Sequence, residues 1–178
     1  MRTGGWIQTF TGKAYYPFDP SPVEVDIIDV AHALSNLCRY TGHCRRFYSV
    51  AEHSVLVSRL VPAEHARVAL LHDATEAYIA DLSSPVKRGI ADYGHLEEMN
   101  WVRAIAPHFD LPAAMPQCVK DADITALYFE KDNLFGQPPV SHAWGPQPVT
   151  LDTSGLKVDC QPPAVAFAKF MARYAELA

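Results

Sequence analysis

Three ionisable residues, His72, Asp73 and Glu76, stand close together in a stretch of sequence that is otherwise apolar. The residues around them are mainly Val, Ala and Leu, so a helix formed there is expected to be largely buried. On such a helix His72 and Glu76 lie one turn apart. Buried charges are unfavourable unless they are paired or bind a metal ion. The cluster therefore predicts either internal salt bridges or a metal site.

Two further residues, His53 and Asp123, have the same kind of setting. Each lies in another segment of helical pattern, among apolar neighbours. Together with His72 and Asp73 they could meet at one point inside a helical bundle. Two imidazoles and two carboxylates suit Mn, Fe, Co, Ni or Zn, and this mixed set does not select among these ions. The arrangement favours a metal site over internal salt bridges.

The helices that must carry these residues are predicted from hydrophobic periodicity and from their Pro, Gly and Ser boundaries. They cover about residues 26 to 39–42, 49–60, 62–80, 94–107, 117–135 and 163–177. Glu52, three residues after Ser49, predicts a capping box at the start of the second helix. The segment Ser83-Ser84-Pro85 is expected to end the third helix.

The remaining segments are predicted to be extended or irregular. Residues 1–16 alternate in character around Thr11-Gly12, which predicts a short β-hairpin or an extended arm. Residues 136–163 are rich in Pro and Gly and predict a long loop with a short strand at Val149–Leu151. We expect an all-α fold in a single domain, residues 1–178. It would consist of an arm (1–25), a catalytic helical core (26–135) and a loop with a C-terminal helix (136–178).

Composition limits the classes of function that the chain can serve. Its 178 residues are 49% hydrophobic and 20% charged, which is enough to bury a core and argues against disorder. With 15 Lys and Arg against 20 Asp and Glu, the formal net charge is −5, whereas a nucleic-acid-binding surface normally needs a net basic face. A few local Arg or Lys residues still suffice for a small anionic substrate.

Cysteine usage and hydropathy indicate a cytoplasmic protein. The 4 cysteines have no CxxC spacing, which favours a reduced compartment. No apolar run approaches the roughly 18 residues of a membrane span, and the N-terminus has no signal-peptide pattern. We therefore expect no membrane partner.

The order His, then His-Asp, then Asp on successive helices resembles that of the HD-domain metal-dependent phosphohydrolases. The resemblance rests on Ile28-Asp29-Val30-Ala31-His32-Ala33-Leu34-Ser35, Cys38-Arg39-Tyr40-Thr41-Gly42-His43, Phe47-Tyr48-Ser49-Val50-Ala51-Glu52-His53, His72-Asp73-Ala74-Thr75-Glu76-Ala77-Tyr78, Asp81-Leu82 and Pro85-Val86-Lys87. These segments resemble small bacterial and phage HD hydrolases related to the deoxyribonucleoside 5′-monophosphatases and to the phage dATP triphosphohydrolases. The match covers roughly residues 6–130 and implies an HD-type helical bundle.

The resemblance implies a ligand set for the metal ion. His53, His72, Asp73 and Asp123 would bind one divalent ion, which could be Co, Mn, Zn, Ni, Fe or Mg. Asp121 is the rival of Asp123 for the last position, and Asp123 is preferred because it matches the family's pattern of Ala-Asp followed by an apolar residue.

The resemblance also implies the catalytic residues Glu76, Asp81, His72 and Asp73. Glu76 matches the family's acid that orients or activates the attacking water. Asp81 matches a carboxylate that contacts the sugar of the substrate. His72 and Asp73 would take part through the metal ion.

Substrate contacts are expected from basic and aromatic residues. Arg39 and Tyr40 match an Arg-aromatic pair at the family's nucleotide pocket, and Lys87 matches a lysine that binds phosphate. His43 and Arg45 are further candidates for contact with phosphate. The alternatives are a structural loop histidine at position 43 and a solvated surface arginine at position 45.

The expected function is hydrolysis of the 5′ phosphate ester of a deoxynucleotide by a metal-activated water. Whether the substrate is a monophosphate or a triphosphate stays open. The alternatives are a non-catalytic HD nucleotide-binding module and an HD phosphodiesterase that acts on cyclic or alarmone nucleotides. The expected partner is a single nucleotide, not a nucleic acid. The protein is expected to be a homo-oligomer, a dimer or larger, in the cytoplasm of a bacterium or a phage-infected host.

Overall fold

The computed structural model describes residues 2–139 and 141–178, and this part of the chain is mostly helical with a small two-stranded antiparallel sheet. The strands and helices, in chain order, are β1 Ile7–Gln8, β2 Ala14–Tyr15, α1 Ile27–Asn36, α2 Val50–Val57, α3 Ala66–Leu70, α4 Glu76–Ile79, α5 Ser84–Gly89, α6 Tyr93–Asn100, α7 Ala106–Phe109, α8 Gln117–Leu134 and α9 Pro163–Glu176. Short 3₁₀ helices occur at Pro22–Glu24, Arg39–Gly42 and Ala63–His65.

The predicted N-terminal hairpin is confirmed. β1 pairs with β2 so that Ile7 faces Tyr15, and Gly12 adopts φ +88° in the turn between them. Tyr15 is fully buried, and its hydroxyl donates to Asn100 Oδ1 at 2.7 Å. Its ring stacks on Tyr78 with ring centroids 3.8 Å apart. The arm is therefore joined to the helices through a buried aromatic side chain.

Helix α2 lies at the centre of the fold and is in contact with α1, α3, α8 and α9. All of its residues except Glu52 are buried, including the polar His53 and Ser54, as expected for a helix that has neighbours on most of its sides. Ser49 caps it by accepting a hydrogen bond from the Glu52 amide at 3.1 Å. The predicted capping box is wrong in its second half. The Glu52 carboxylate instead accepts hydrogen bonds from the backbone N–H groups of residues 159–161, which ties the C-terminal segment to α2.

The predicted continuous helix at 62–80 is interrupted. Residues 71–75, between α3 and α4, form tight turns in which amides bond three residues back, such as Glu76 N to Asp73 O at 2.9 Å. The cause is the His72 side chain, because its Nδ1–H donates a hydrogen bond to the carbonyl oxygen of Ala69 at 2.8 Å. In a regular α-helix that carbonyl would accept from the amide of Asp73.

The other predicted helices are confirmed with changes at their ends. Helix α1 ends at Asn36, because Leu37 leaves the helical conformation with φ −80° and ψ 119°. Helices α6 and α7 are joined by a π turn at Trp101–Ile105, which accommodates Pro107. Helix α4 ends at Ile79, where Ala80 has φ 71°, so the helix ends before Ser83-Ser84-Pro85, and that segment instead starts α5 with Pro in the first turn.

The predicted strand at Val149–Leu151 is wrong, since these described residues form no strand. The hydroxyl of Thr125 on α8 bonds to their backbone instead, at 3.5 Å to Val149 O and 3.3 Å to Leu151 N. Two prolines precede the segment, and proline lacks the N–H that a ladder needs. Within residues 2–139 and 141–178, no helix combines the length and the apolar character needed to cross a membrane.

Candidate metal centre and its cavity

Four residues predicted as metal ligands come together where α2, α8 and the 71–75 turns meet. His53 lies on α2, His72 and Asp73 lie in the turns, and Asp123 lies on α8. Helix α8 packs against α2, so Asp123 lies directly opposite His53. The packing of these three elements, not their order in the chain, brings the four side chains together.

The closest approach is between His53 Nε2 and Asp123 Oδ1, at 3.1 Å. Asp73 lies between the two histidines, with Oδ2 at 3.6 Å from His53 Nε2 and Oδ1 at 3.3 Å from His72 Nε2. The centroids of the imidazole rings are 5.2 Å apart. One ligand atom each from His53, His72 and Asp123 lies within 4.8 Å of the other two, a spacing that could hold one metal ion.

The hydrogen bonds of the two imidazoles leave the same ring nitrogen available on each. His53 Nδ1 donates to Glu130 Oε1 at 2.6 Å, and His72 Nδ1 donates to the Ala69 carbonyl at 2.8 Å. Both Nε2 atoms are buried and have no hydrogen-bond partner among the described residues. A metal-binding histidine typically has this arrangement, with Nδ1–H held by a carboxylate or carbonyl and the Nε2 lone pair facing the ion. The donor set therefore fits a divalent cation.

The balance of charge in the site also favours a bound cation. Five carboxylates lie in or against the cluster, namely Asp73, Glu76, Asp81, Asp123 and Glu130. Among the described residues, the cationic side chains paired with them within 4.0 Å, other than histidine, are Arg39 and Lys87. The site therefore stabilises additional positive charge, as a metal centre must.

The pKa values of His53 and Asp123 reflect this excess of negative charge. Burial and the Arg39 charge lower the pKa of His53, but Glu130 and Asp123 outweigh them and raise it to about 10. Burial alone would raise the pKa of Asp123, yet the adjacent His53 holds it well below its ordinary value. Positive charge at His53 Nε2, from a proton or a metal ion, is therefore favoured.

The two aspartates near the start of α8, Asp121 and Asp123, differ in position. Asp123 faces the histidines, whereas Asp121 accepts a hydrogen bond from Gln117, one turn earlier on the same helix. Asp73 also approaches Arg39, with its Oδ2 3.6 Å from Nη1. Asp123 is therefore the carboxylate of α8 that can complete a ligand set with the histidines.

Glu130 is a buried residue of the site that sequence reasoning missed. It is 0% exposed and accepts hydrogen bonds from Arg39 Nε at 3.1 Å, Tyr48 at 3.0 Å, His53 at 2.6 Å and the Tyr40 hydroxyl. A signal was present, because Glu130 follows Asp123 by seven residues and lies on the same face of α8.

A cavity of about 600 Å³ opens beside the histidines. Its lining contains most of the residues predicted for catalysis and substrate binding, which are Arg39, Tyr40, His43, Asp73, Glu76, Asp81 and Lys87, together with the predicted metal ligand Asp123. Residues that the sequence did not predict for the site also line it, including Leu127, Phe135, His142 and Trp144. The volume lies in the range of small-molecule sites in proteins, about 300–1,000 Å³.

Glu76 and Lys87 form an ion pair in the wall of this cavity. Lys87 Nζ lies 3.0 Å from Glu76 Oε1 and 2.7 Å from Glu97 Oε1, while Glu76 Oε2 is buried without a hydrogen-bond partner among the described residues. Burial raises the pKa of Glu76 well above its ordinary range, Asp73 and Asp81 add to the effect, and Lys87 opposes it. Burial raises the pKa of Asp81 as well. Glu76 thus has one oxygen free to accept a proton.

Arg39 and Tyr40 enter the cavity from a strained segment. Tyr40 and the β-branched Thr41 have left-handed backbone angles, a conformation that is unusual for such residues. The hydroxyl of Tyr40 and Nε of Arg39 are both bound to Glu130, and the Arg39 guanidinium carbon lies 5.1 Å from the centroid of the Tyr40 ring. Positive φ also occurs at Ala80, Asp110 and Cys160, which do not line the cavity. Strain at a residue that does line it, such as Tyr40, is the kind that occurs at functional sites.

Arg45 is the predicted substrate residue that the structure does not bring to the site. It is exposed and is absent from the described residues that line the cavity. Its backbone amide bonds to Leu134 O at 2.9 Å, and a side chain at Gly136 would place Cβ 2.8 Å from its Nη2. The guanidinium therefore packs over the end of α8, because the 43–47 segment is joined to that end.

The comparisons with known proteins identify relatives of this chain. No model of a known protein family matches it. The uncharacterized protein YfdR of Escherichia coli (strain K12) is 45% identical over 129 residues, which are 72% of this chain and 72% of YfdR. The uncharacterized protein RCAP_rcc00048 of Rhodobacter capsulatus is 32% identical over an alignment of 186 positions, covering 95% of this chain and 93% of the relative. The chain therefore belongs to the family of proteins that includes YfdR and RCAP_rcc00048.

Proposed function

We propose that this protein is a metal-dependent phosphohydrolase of the HD-domain type, which cleaves the 5′ phosphate ester of a deoxynucleotide. The observation that carries the proposal is the convergence of two buried imidazole Nε2 atoms and a carboxylate at the edge of a cavity. The resemblance of the sequence to HD-domain enzymes supplies the reaction type.

The residues that would hold the metal ion are His53, His72, Asp123 and, beside them, Asp73. Such an ion lowers the pKa of bound water and polarises a phosphoryl oxygen. The ring orientation of each histidine is set before any ligand arrives, because Nδ1 of each is already hydrogen-bonded.

Glu76 would accept the proton of the attacking water. Glu76 lines the cavity, its Oε2 atom is buried without a hydrogen-bond partner among the described residues, and Lys87 holds its Oε1. A carboxyl group whose pKa is raised by burial is closer to the value that an efficient general base needs near neutral pH. Asp81, in the same wall, would bind a hydroxyl group of the sugar.

Basic side chains in the lining would bind the phosphate. Arg39, Lys87 and Arg88 carry fixed positive charge, and His43 and His142 add two imidazoles at the surface of the cavity. Arg39 is partly buried and forms ion pairs with Glu130 and Asp73, so it is held in place before substrate binds. These residues explain how a chain with a net charge of −5 could bind an anion.

The test is product analysis on purified protein. It would be incubated with deoxynucleoside 5′-monophosphates, ribonucleoside 5′-monophosphates and deoxynucleoside triphosphates, with EDTA or with Mn, Co, Zn or Mg added. Release of inorganic phosphate from a monophosphate, or of tripolyphosphate from a triphosphate, supports the proposal and decides the phosphate count. Nucleotide binding without turnover under every metal condition would favour a nucleotide-binding module instead.

Helix α8 offers a matched pair of variants for the ligand assignment. Asp123→Asn should lower metal affinity and turnover by at least about 100-fold, since loss of even an outer-shell partner typically lowers them 10- to 100-fold. Asp121→Asn should leave both close to wild type, because Asp121 pairs with Gln117 outside the histidine cluster. Equal loss in the two variants would contradict the assignment.

A further inference from the structure

We propose that the segment after α8 supplies an aromatic wall, formed by Phe135 and Trp144 with Tyr40, on which the base of a nucleotide stacks. The choice of a nucleotide as the ligand rests on the proposed function. The wall itself rests on the geometry of these three side chains, all of which line the cavity. Two of them lie beyond residue 130, outside the part of the chain that resembles HD-domain enzymes.

The three rings are arranged as neighbours along one side of the cavity. The ring of Phe135 meets that of Tyr40 edge to face, with centroids 4.9 Å apart and planes at 86°. Trp144 lies 6.1 Å from Phe135 at 53° and is 39% exposed. An indole that is partly exposed at the rim of a cavity has an apolar face available for a planar ligand.

Hydrogen bonds to α8 hold the indole in this place. The hydroxyl of Tyr128 donates to the carbonyls of Gly145 and Pro146, at 3.1 and 3.2 Å. The ring of Tyr128 also contacts Trp144 edge on, with centroids 6.2 Å apart. Farther along, Thr125 binds the backbone at residues 149 and 151. The segment is thus anchored at several points, so little ordering is required when a ligand stacks on it.

The lining of the cavity combines two kinds of side chain that suit a nucleotide. Asp73, Asp123 and Lys87 line it, and so do the aromatic rings with Leu127. A phosphate can be bound by the charged groups while a flat apolar ring stacks on the aromatic ones. Nucleobases stack on aromatic side chains, and removal of one such contact typically weakens binding by about 5- to 100-fold.

The test compares ligands with and without a base. Binding of deoxyadenosine 5′-monophosphate and of deoxyribose 5-phosphate would be measured by calorimetry on EDTA-treated protein, and KM and kcat would be measured on metal-loaded protein. Trp144→Ala should weaken binding of the nucleotide and raise its KM by about 5- to 100-fold, with deoxyribose 5-phosphate affected less than twofold. Trp144→Phe keeps a ring and should recover most of the affinity.

Tryptophan fluorescence gives a readout that is independent of turnover. The nucleotide should quench the emission of the wild type, and Trp144→Phe should lose that quenching. Trp6→Ala is the matched control, because Trp6 is 56% exposed on the N-terminal arm and does not line the cavity.

The proposal is overturned if Trp144→Ala binds the nucleotide as tightly as wild type does, or if it loses affinity for both ligands equally. In either case wild-type hydrolysis of the nucleotide would leave the proposed function intact. A wild type that neither binds nor hydrolyses any nucleotide would overturn the proposed function together with the wall.

Discussion

Replacing Glu130 by Gln should destabilise the fold and weaken the metal centre at the same time. Glu130 is fully buried, and its two oxygens accept hydrogen bonds from Arg39, Tyr40, Tyr48 and His53. Gln has nearly the same shape but no charge, and its NH₂ group would face side chains that are themselves donors. The variant therefore removes an ion pair and creates a donor–donor conflict in a buried place.

The magnitude follows from the pKa of Glu130. Burial would raise it, but Arg39 and His53 outweigh burial and lower it to about 2, from an ordinary value of 4.5. This difference corresponds to about 3 kcal/mol of stabilisation by the ionised form. Because the pKa is depressed in the folded state, the contribution is complete above about pH 4.5 and is lost as the pH falls through about 2. Breaking a buried ion pair typically costs about 3–5 kcal/mol of stability, which agrees with the value derived from the pKa of Glu130.

The assay is thermal unfolding at neutral pH in the presence of EDTA, measured by scanning calorimetry. For a chain of this size about 3 kcal/mol corresponds to a Tm lower by about 6–12 °C. Glu98→Gln is the control, because Glu98 is an exposed glutamate on α6 and should change Tm by less than about 2 °C. A Glu130→Gln variant that melts within about 2 °C of the wild type would refute the reasoning. Its affinity for Mn²⁺ should also fall by about 10- to 100-fold, since His53 loses its carboxylate partner.

Three further outcomes follow from the same geometry. The apparent Mn²⁺ affinity of the wild type should rise about tenfold for each pH unit above neutrality, since a proton that His53 holds up to a pKa of about 10 must leave when the ion binds. Calorimetry that shows the same Mn²⁺ affinity at every pH would contradict this. Lys87→Met should move the acidic limb of the pH–rate profile for phosphate release to higher pH, because Lys87 lowers the pKa of Glu76. An acidic limb at the wild-type pH would exclude Glu76 as the general base. The thiols of Cys38 and Cys44 are 3.7 Å apart, so oxidation by diamide should form a disulfide and reduce the number of titratable thiols from 4 to two. The Cys44→Ser variant should resist this oxidation, and retention of all 4 thiols in the wild type would show that the pair cannot form a disulfide.

The helices were predictable because their ends are marked by local chemistry. Asp26 and Ser49 accept hydrogen bonds from the first-turn amides of α1 and α2, as capping residues do. Helices α8 and α9 follow directly after prolines. These features act over a few residues, so they can be recognised without knowledge of the packing.

The interruption at 71–75 could not be predicted from periodicity. Its cause is a hydrogen bond from the side chain of His72 to the carbonyl of Ala69, which competes with the helix at one residue. The hydrophobic pattern continues through the segment unchanged, because the turns still bury Leu71 and Ala74. The residues of the site were therefore predicted on a helix that is in fact broken where they lie.

Glu130 and the aromatic wall were missed for a different reason. Glu130 is followed by Lys131 and Asp132, so the sequence resembles a solvated run of charges. The packing of α8 against α2 is what buries it. Phe135 and Trp144 lie where periodicity is absent, and hydrogen bonds from Tyr128 to the backbone after Trp144 help to determine the place of the indole. These contacts, unlike the seven-residue spacing of Asp123 and Glu130, leave no periodic trace in the sequence.

A single carboxylate links the two halves of the candidate site. Glu130 orients His53 through Nδ1 and, with its other oxygen, holds Arg39 and Tyr40. A change at Glu130 should therefore lower affinity for the metal ion and for the nucleotide together. A change at Trp144 should lower affinity for the nucleotide alone, because Trp144 has no contact with the histidines among those described. This contrast between the two variants separates the framework that positions the chemistry from the surface that selects the ligand.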